Sequence, residues 1–174
     1  AEKCITLLKN ENQMLPLKKD SIKKIGIIGP NADNRRALVG NYEGTASEYV
    51  TILEGIREYL GDSVRIQYSE GCSICRDRIS GLAQANDRTA EARAVAAASD
   101  VVIACFGLDP SLEGEEGDQG NEFASGDKPN LNLPGIQKDV LQAIYESGKP
   151  VVLVLLSGSA IAVPWAAEHI PAII

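Results

Sequence analysis

Histidine occurs once, at position 169, and no serine sits in a Gly-x-Ser-x-Gly turn. A serine hydrolase needs an exposed nucleophile with a histidine base beside it, so this deficit argues against that chemistry. Ser157-Gly158-Ser159 has the wrong spacing for such a turn. The four cysteines make one Cys-x-x-Cys pair, Cys72 and Cys75, with Cys4 and Cys105 standing alone. A structural zinc site needs four ligands, usually two such pairs, and no metal is expected here. The pair follows a turn and does not open a helix after a strand, which argues against a thioredoxin-type redox role. Cys105 lies inside an apolar run and is expected to be core. Basic residues are outnumbered, 17 against 24 acids, for a net charge of −7. Nucleic-acid phosphates need a basic face, so that class of partner is not expected. No apolar run is long enough to span a bilayer, and no membrane association is expected. The opening AEKCITLLKN lacks the basic flank, apolar stretch and cleavage site of a signal peptide. Gly-x-Gly-x-x-Gly and a phosphate-loop lysine are both missing. Gly29-Pro30-Asn31 after a strand is therefore a weak nucleotide signal, and Pro30 removes one amide donor. No cofactor is called for, and no internal repeat is visible.

What remains is an ordinary globular composition, 174 residues with 44% apolar, enough for one domain with a real core. Residues 1–10 put Cys4, Leu7 and Leu8 at helical spacing and predict a short amphipathic helix, with a connector to residue 20. The α/β domain then runs over 21–174. Ile25 to Ile28 reads as a buried strand. Residues 50–60 repeat apolar positions at helical spacing until Gly61. Val64 to Tyr68 alternates like a half-exposed strand. Thr89 is expected to cap a helix over 90–98. VVIACFG after Asp100 and VVLVLL over 151–156 are strands apolar on both faces, with a helix over 135–147 between them. A helix over 165–169 and a strand opening at Pro171-Ala172-Ile173-Ile174 follow.

Doubly apolar strands alternating with amphipathic helices imply α/β architecture. The sheet is mainly parallel with helices on both faces, a three-layer sandwich, here expected to be truncated at its C-terminal end. In such sheets ligands sit beyond the C-terminal strand ends. The loops there are 29–49, 69–88, 107–134 and 157–164, and 107–134 exceeds the usual length of a structureless connection.

That longest loop carries the densest constellation: Leu112-Glu113-Gly114-Glu115-Glu116-Gly117-Asp118. Crowded carboxylates repel one another, which raises at least one pKa, and a carboxyl protonated near neutrality suits a general acid. A solvated acidic loop or a calcium site accounts for the same cluster. Seven acids over 108–130, with Lys128 the one nearby base, also predict weak amide protection in the isolated chain.

Many stretches, in order, resemble the second domain of glycoside hydrolase family 3. They are Leu7 to Asn12, Leu15-Pro16-Leu17, Ile25 to Ala32, Gly40-Asn41-Tyr42-Glu43-Gly44-Thr45, Val50 to Ile56 and Glu70-Gly71-Cys72. Asp100-Val101-Val102, Gly107-Leu108-Asp109, Leu112 to Glu116, Asp127-Lys128, Leu133 to Gln137, Pro150 to Val154 and Pro164-Trp165 complete the set. Each is weak alone; the ordered set is specific and covers the chain.

The resemblance implies an exo-acting, retaining glycosidase of the β-xylosidase, α-L-arabinofuranosidase or β-glucosidase branch. It implies a barrel domain that supplies an aspartate nucleophile, and an α/β sandwich that supplies the acid/base glutamate. The acid/base falls to Glu115, with Glu113 and Glu116 as alternatives, and Asn41, Tyr42, Asp127 and Lys128 fall to sugar binding. Carbohydrate and the barrel are thus the expected partners. No Ser-Asp-Trp segment and no barrel are in this sequence, so the chain alone is expected to be inactive. The family often has arginine where Lys128 stands, and lysine lacks the bidentate fork. Two other readings stay open: a flavodoxin-like nucleotide- or ligand-binding module without catalysis, and a non-catalytic structural domain of the same family.

Overall fold

In the computed structural model, residues 2–40, 44–76, 87–112 and 128–174 are described. Six strands form one sheet in the order β1-β6-β5-β4-β2-β3. They are β1 (Lys9–Asn10), β2 (Lys24–Ile28), β3 (Arg65–Ser69), β4 (Val101–Gly107), β5 (Val151–Leu156) and β6 (Ala172–Ile173). All pairs are parallel except β1 with β6. The helices are α1 (Ile52–Leu60), α2 (Asp87–Ala97), α3 (Gln137–Tyr145) and α4 (Pro164–His169).

The apolar strands are central because both of their faces are covered. Along β4, Val102, Ala104 and Phe106 pack with Ala92 and Ala96 of α2, Val140, Leu141 and Ile144 of α3, and Ala166 of α4. Ile103 and Cys105 point the other way, to Ile25 and Ile27 of β2 and Leu53 of α1. Alternation along a strand thus sorts neighbouring residues into two cores. The second layer is only partly helical, since Met14, Leu15 and Leu17 of the connector and Ile22 just before β2 share it with α1. The fold is the α/β sandwich with helices on both faces that the sequence implies. Cys105 is fully buried, and burial pushes its thiol pKa up to about 12.

Two elements differ from expectation. The helix expected over residues 1–10 does not form. A short 3-10 turn covers Glu2–Cys4, and Lys9–Asn10 pairs antiparallel with β6. Leu7 and Leu8 are largely exposed, so their helical spacing marks no buried stripe. A helix this short gains little by itself, whereas the sheet edge offers immediate backbone partners. Leu8 N–H donates to Ile173 O at 2.9 Å, and Glu11 N–H to Pro171 O at 2.8 Å. The expected cap at Thr89 is also displaced, since α2 already includes Asp87 and Arg88 and Thr89 lies within its first turn.

Candidate functional site

The site is built on the C-terminal ends of β2, β4 and β5, where the polar loops gather. Gly29 and Gly107 end β2 and β4 with the same positive φ, 133°. A Cβ on either would lie 2.0 Å from a carbonyl oxygen of the adjacent strand, Cys105 and Leu156 respectively. Glycine therefore lets each chain leave the sheet while pressed against its neighbour.

Beyond these turns lies a polar network. Asn31, 2% exposed, donates from Nδ2 to Leu108 O at 3.2 Å. Asn34 Nδ2 donates to Asp109 Oδ2 at 2.8 Å and reaches Asn31 Oδ1 at 3.4 Å. Asp109, 7% exposed, accepts at Oδ1 from Ser111 N–H at 2.8 Å and from the Ser111 hydroxyl. Leu112 N–H closes the turn onto Asp109 O at 3.0 Å, and the Leu112 side chain is fully buried. Asp33 Oδ1 accepts from Thr51 Oγ1 at 2.9 Å, which links this loop to the start of α1. On β3, burial first and then the carboxylates of Glu70 and Asp33 push the Tyr68 phenol up to about 12, so it stays protonated at neutral pH.

The return of the long loop is pinned as firmly. Lys128 Nζ donates to Ala160 O at 2.8 Å, and Ala162 N–H donates to Leu131 O at 2.7 Å. Gln137, fully buried at the start of α3, donates from Nε2 to Ile74 O at 2.6 Å and Gly107 O at 2.9 Å. Its Oε1 accepts from Gly107 N–H at 2.8 Å. One amide thereby joins the loops after β3 and β4 to α3. An open cleft of about 920 Å³ adjoins this edge, with Gly40, Leu108, Asp109, Leu156 and Ser157 among its walls.

Of the site residues expected from sequence, Lys128 is described, and its ammonium is held by the loop after β5. Glu113, Glu115, Glu116, Asp127, Asn41 and Tyr42 lie outside the described residues, as does most of the acidic segment 108–130. What the structure brings together are roots of those segments: Gly40 and Asp109 wall one cleft, while Lys128 is held apart from them at Ala160 of the loop after β5. Among the described residues no three or more His, Cys, Asp or Glu side chains group to hold a metal ion. Cys72 is buried and Cys75 half-buried. No described helix is long and apolar enough to cross a membrane.

Asn34, Asp109 and Gln137 were not legible as site residues. Asp109 follows a strand-ending glycine by two positions, as Asn31 follows Gly29, and Asp109 and Gln137 both lie in stretches that carry the family resemblance, but neither signal says which contacts these side chains make. The partners of Gln137 come from segments far apart in the chain, which no local pattern reveals.

Comparison with known proteins agrees with this geometry. The model of the glycosyl hydrolase family 3 C-terminal domain matches residues 5–174. A β-xylosidase of Formosa agariphila is 37% identical over all of this chain, which covers 23% of that protein. A periplasmic β-glucosidase of Salmonella typhimurium is 33% identical over 93% of the chain and 22% of its own length. The chain thus spans about a fifth of the length of the curated relatives it matches. Among solved structures, a family 3 exo-β-xylosidase bound to a xylobiose aziridine probe superposes with a TM-score of 0.77 at 28% identity. That match covers 96% of this chain and 19% of the other. A β-glucosidase from Erythrobacter marinus superposes at 0.75, also at 28% identity, covering 96% of this chain and 24% of its own. A family match over nearly the whole chain, the relatives and the shared sheet agree: the chain belongs to the C-terminal domain family of glycosyl hydrolase family 3.

Proposed function

We propose that this domain carries the acid/base carboxyl of a retaining exo-glycosidase that removes terminal β-linked sugars, with β-xylosides as the leading substrate. The observation that carries the reading is the 37% identity to a β-xylosidase along the entire chain. The rooting of the acidic segment at the C-terminal sheet edge supports it, since that is where parallel α/β sheets hold ligands.

Retention needs two carboxyl groups roughly 5 Å apart across the scissile bond. Glu115 is the proposed acid, with Glu113 and Glu116 as alternatives. It protonates the leaving oxygen, then takes a proton from the water that releases the glycosyl intermediate. The nucleophile belongs to a second, barrel domain. Asn41, Tyr42, Asp127 and Lys128 are the proposed contacts to sugar hydroxyls.

The test is Glu115→Ala in the full-length protein. An acid matters most when the leaving alcohol is poor, and little for a dinitrophenolate that departs unprotonated. Cleavage of xylobiose is expected to fall by about 100-fold or more, a typical acid/base contribution, while glycosylation by dinitrophenyl β-xyloside changes far less. Azide is expected to restore the second step, because it attacks without a base. Equal losses on both substrates and no azide effect, with the leaving-group signature at Glu113→Ala or Glu116→Ala, would move the role to that residue. Absence of the signature at all three would overturn the reading.

A further inference from the structure

One carboxamide touches the roots of two separate segments. The Asn34 Oδ1 accepts from the backbone N–H of Arg36 at 3.0 Å and of Ala37 at 3.3 Å. It thereby starts the 3-10 turn Arg36–Leu38, which leads within a few residues to Gly40 and the segment bearing Asn41 and Tyr42. The same side chain donates from Nδ2 to Asp109 Oδ2 at 2.8 Å. The other oxygen of Asp109 holds Ser111, and the Asp109 carbonyl holds Leu112 N–H, the last described residue before Glu113. Asp109 is nearly buried, so its carboxylate has little water to fall back on. Gly40 and Asp109 meet again as walls of the same cleft.

We infer that Asn34 is a positioning residue: its carboxamide sets the root of the sugar-contacting segment against the root of the acid/base segment, through Asp109. The inference rests on the acid/base reading above and adds a residue to it. In this reading Asn34 acts on the placement of the groups proposed to meet the sugar and the leaving oxygen, and placement errors on the order of 1 Å are costly to catalysis.

The hydrogen bonds supply a specific test. In Asn34→Asp the turn keeps its acceptor, but the donor to Asp109 is replaced by a second carboxylate. In the double variant Asn34→Asp with Asp109→Asn the polarity is reversed. Asn at 109 then donates to Asp at 34 and still accepts from Ser111. The experiment measures kcat and KM of full-length protein, per folded molecule and well below its melting temperature, on xylobiose and on dinitrophenyl β-xyloside.

Asn34→Asp is expected to lower kcat on xylobiose by about tenfold and on the activated substrate much less, and the double variant to recover most of the loss. A strut that only stabilises would lower the melting temperature and leave kcat per folded molecule unchanged. That result, or equal loss on both substrates, overturns the inference. If Asn34→Asp does not fold, Asn34→Ser is read by the same criteria, since serine caps the turn but does not reach Asp109. Glu115→Ala, measured alongside, separates the failures. Its leaving-group signature persists if only the role of Asn34 is wrong, and disappears if the acid/base assignment is.

Discussion

Gln137 shows how much of this fold hangs on single polar side chains. Its buried amide satisfies Gly107 N–H, Gly107 O and Ile74 O. Gln137→Leu keeps the volume but leaves these groups without partners, at about 1–3 kcal/mol for each buried group left unmade. Urea denaturation is expected to show a loss of about 3–5 kcal/mol at unchanged m-value. A loss under about 1 kcal/mol would mean that the loops rearrange to pair these groups elsewhere. At this scale little was legible beforehand. Cys105 could be assigned to the core because its neighbours are all apolar. Gln137 looked like an ordinary helix residue, because its three partners are supplied by tertiary structure.

Strands and helices were more readable, in proportion to how much their own residues decide. The runs at Ile25–Ile28, Val101–Gly107 and Val151–Leu156 are apolar on both faces, short and rich in β-branched residues, as strands of a covered parallel sheet are. The helical spacing over 50–60 located α1, and the structure adds a reciprocal cap at its start, Thr51 Oγ1 accepting from Glu54 N–H at 3.2 Å and Glu54 Oε2 from Thr51 N–H at 2.9 Å. Residues 1–10 misled because the partner that makes Lys9–Asn10 a strand lies at the far end of the chain. Elements are also joined by charge. Asp100, just before β4, accepts at Oδ2 from Lys23 N–H at 2.9 Å and Lys24 N–H at 2.8 Å, which fastens the starts of β4 and β2 together.

These two backbone bonds, first that of Lys23, hold the Asp100 carboxyl below its ordinary range. The Thr51 backbone bond, then Arg35, do the same for Glu54. A carboxyl with a depressed folded pKa binds fewer protons when folded. Its contribution is complete above the unfolded pKa, about 4, and is lost as pH falls through the folded value. Asp100→Asn is therefore expected to lower the thermal midpoint at pH 7, with the gap from wild type closing below about pH 4. A gap that stays constant from pH 7 to pH 3 would show that geometry, and not charge, is what Asp100 contributes.

At the scale of the molecule, the sheet supplies an edge and roots for two segments, and the proposed chemistry needs a carboxyl from outside it. Residues 1–174 alone are expected to show no turnover of aryl β-xyloside, β-glucoside or α-arabinofuranoside. Turnover on the order of 1 per second, an ordinary enzymatic rate, would sink the two-domain reading. The architecture was legible from the alternation of doubly apolar strands with amphipathic helices. The acidic constellation could be placed after β4 by order alone. The contacts that fix its roots, Asn34 to Asp109 and Lys128 to Ala160, were not legible, because each joins loops that only the folded sheet brings side by side.

The pairing of β1 with β6 has a mechanical consequence. Because the two run antiparallel, with Lys9 opposite Ile173 and Asn10 opposite Ala172, the N-terminal side of β1 and the C-terminal side of β6 lie at the same end of the pair. Tension applied between residues 2 and 174 therefore loads these bonds one after another, like the teeth of a zip, and does not shear them together. The parallel pairs β4–β5 and β2–β4 stay shielded until that outer pair has peeled away. Pulled at these two residues, the sheet is expected to yield first at the β1–β6 seam and last across its central parallel strands.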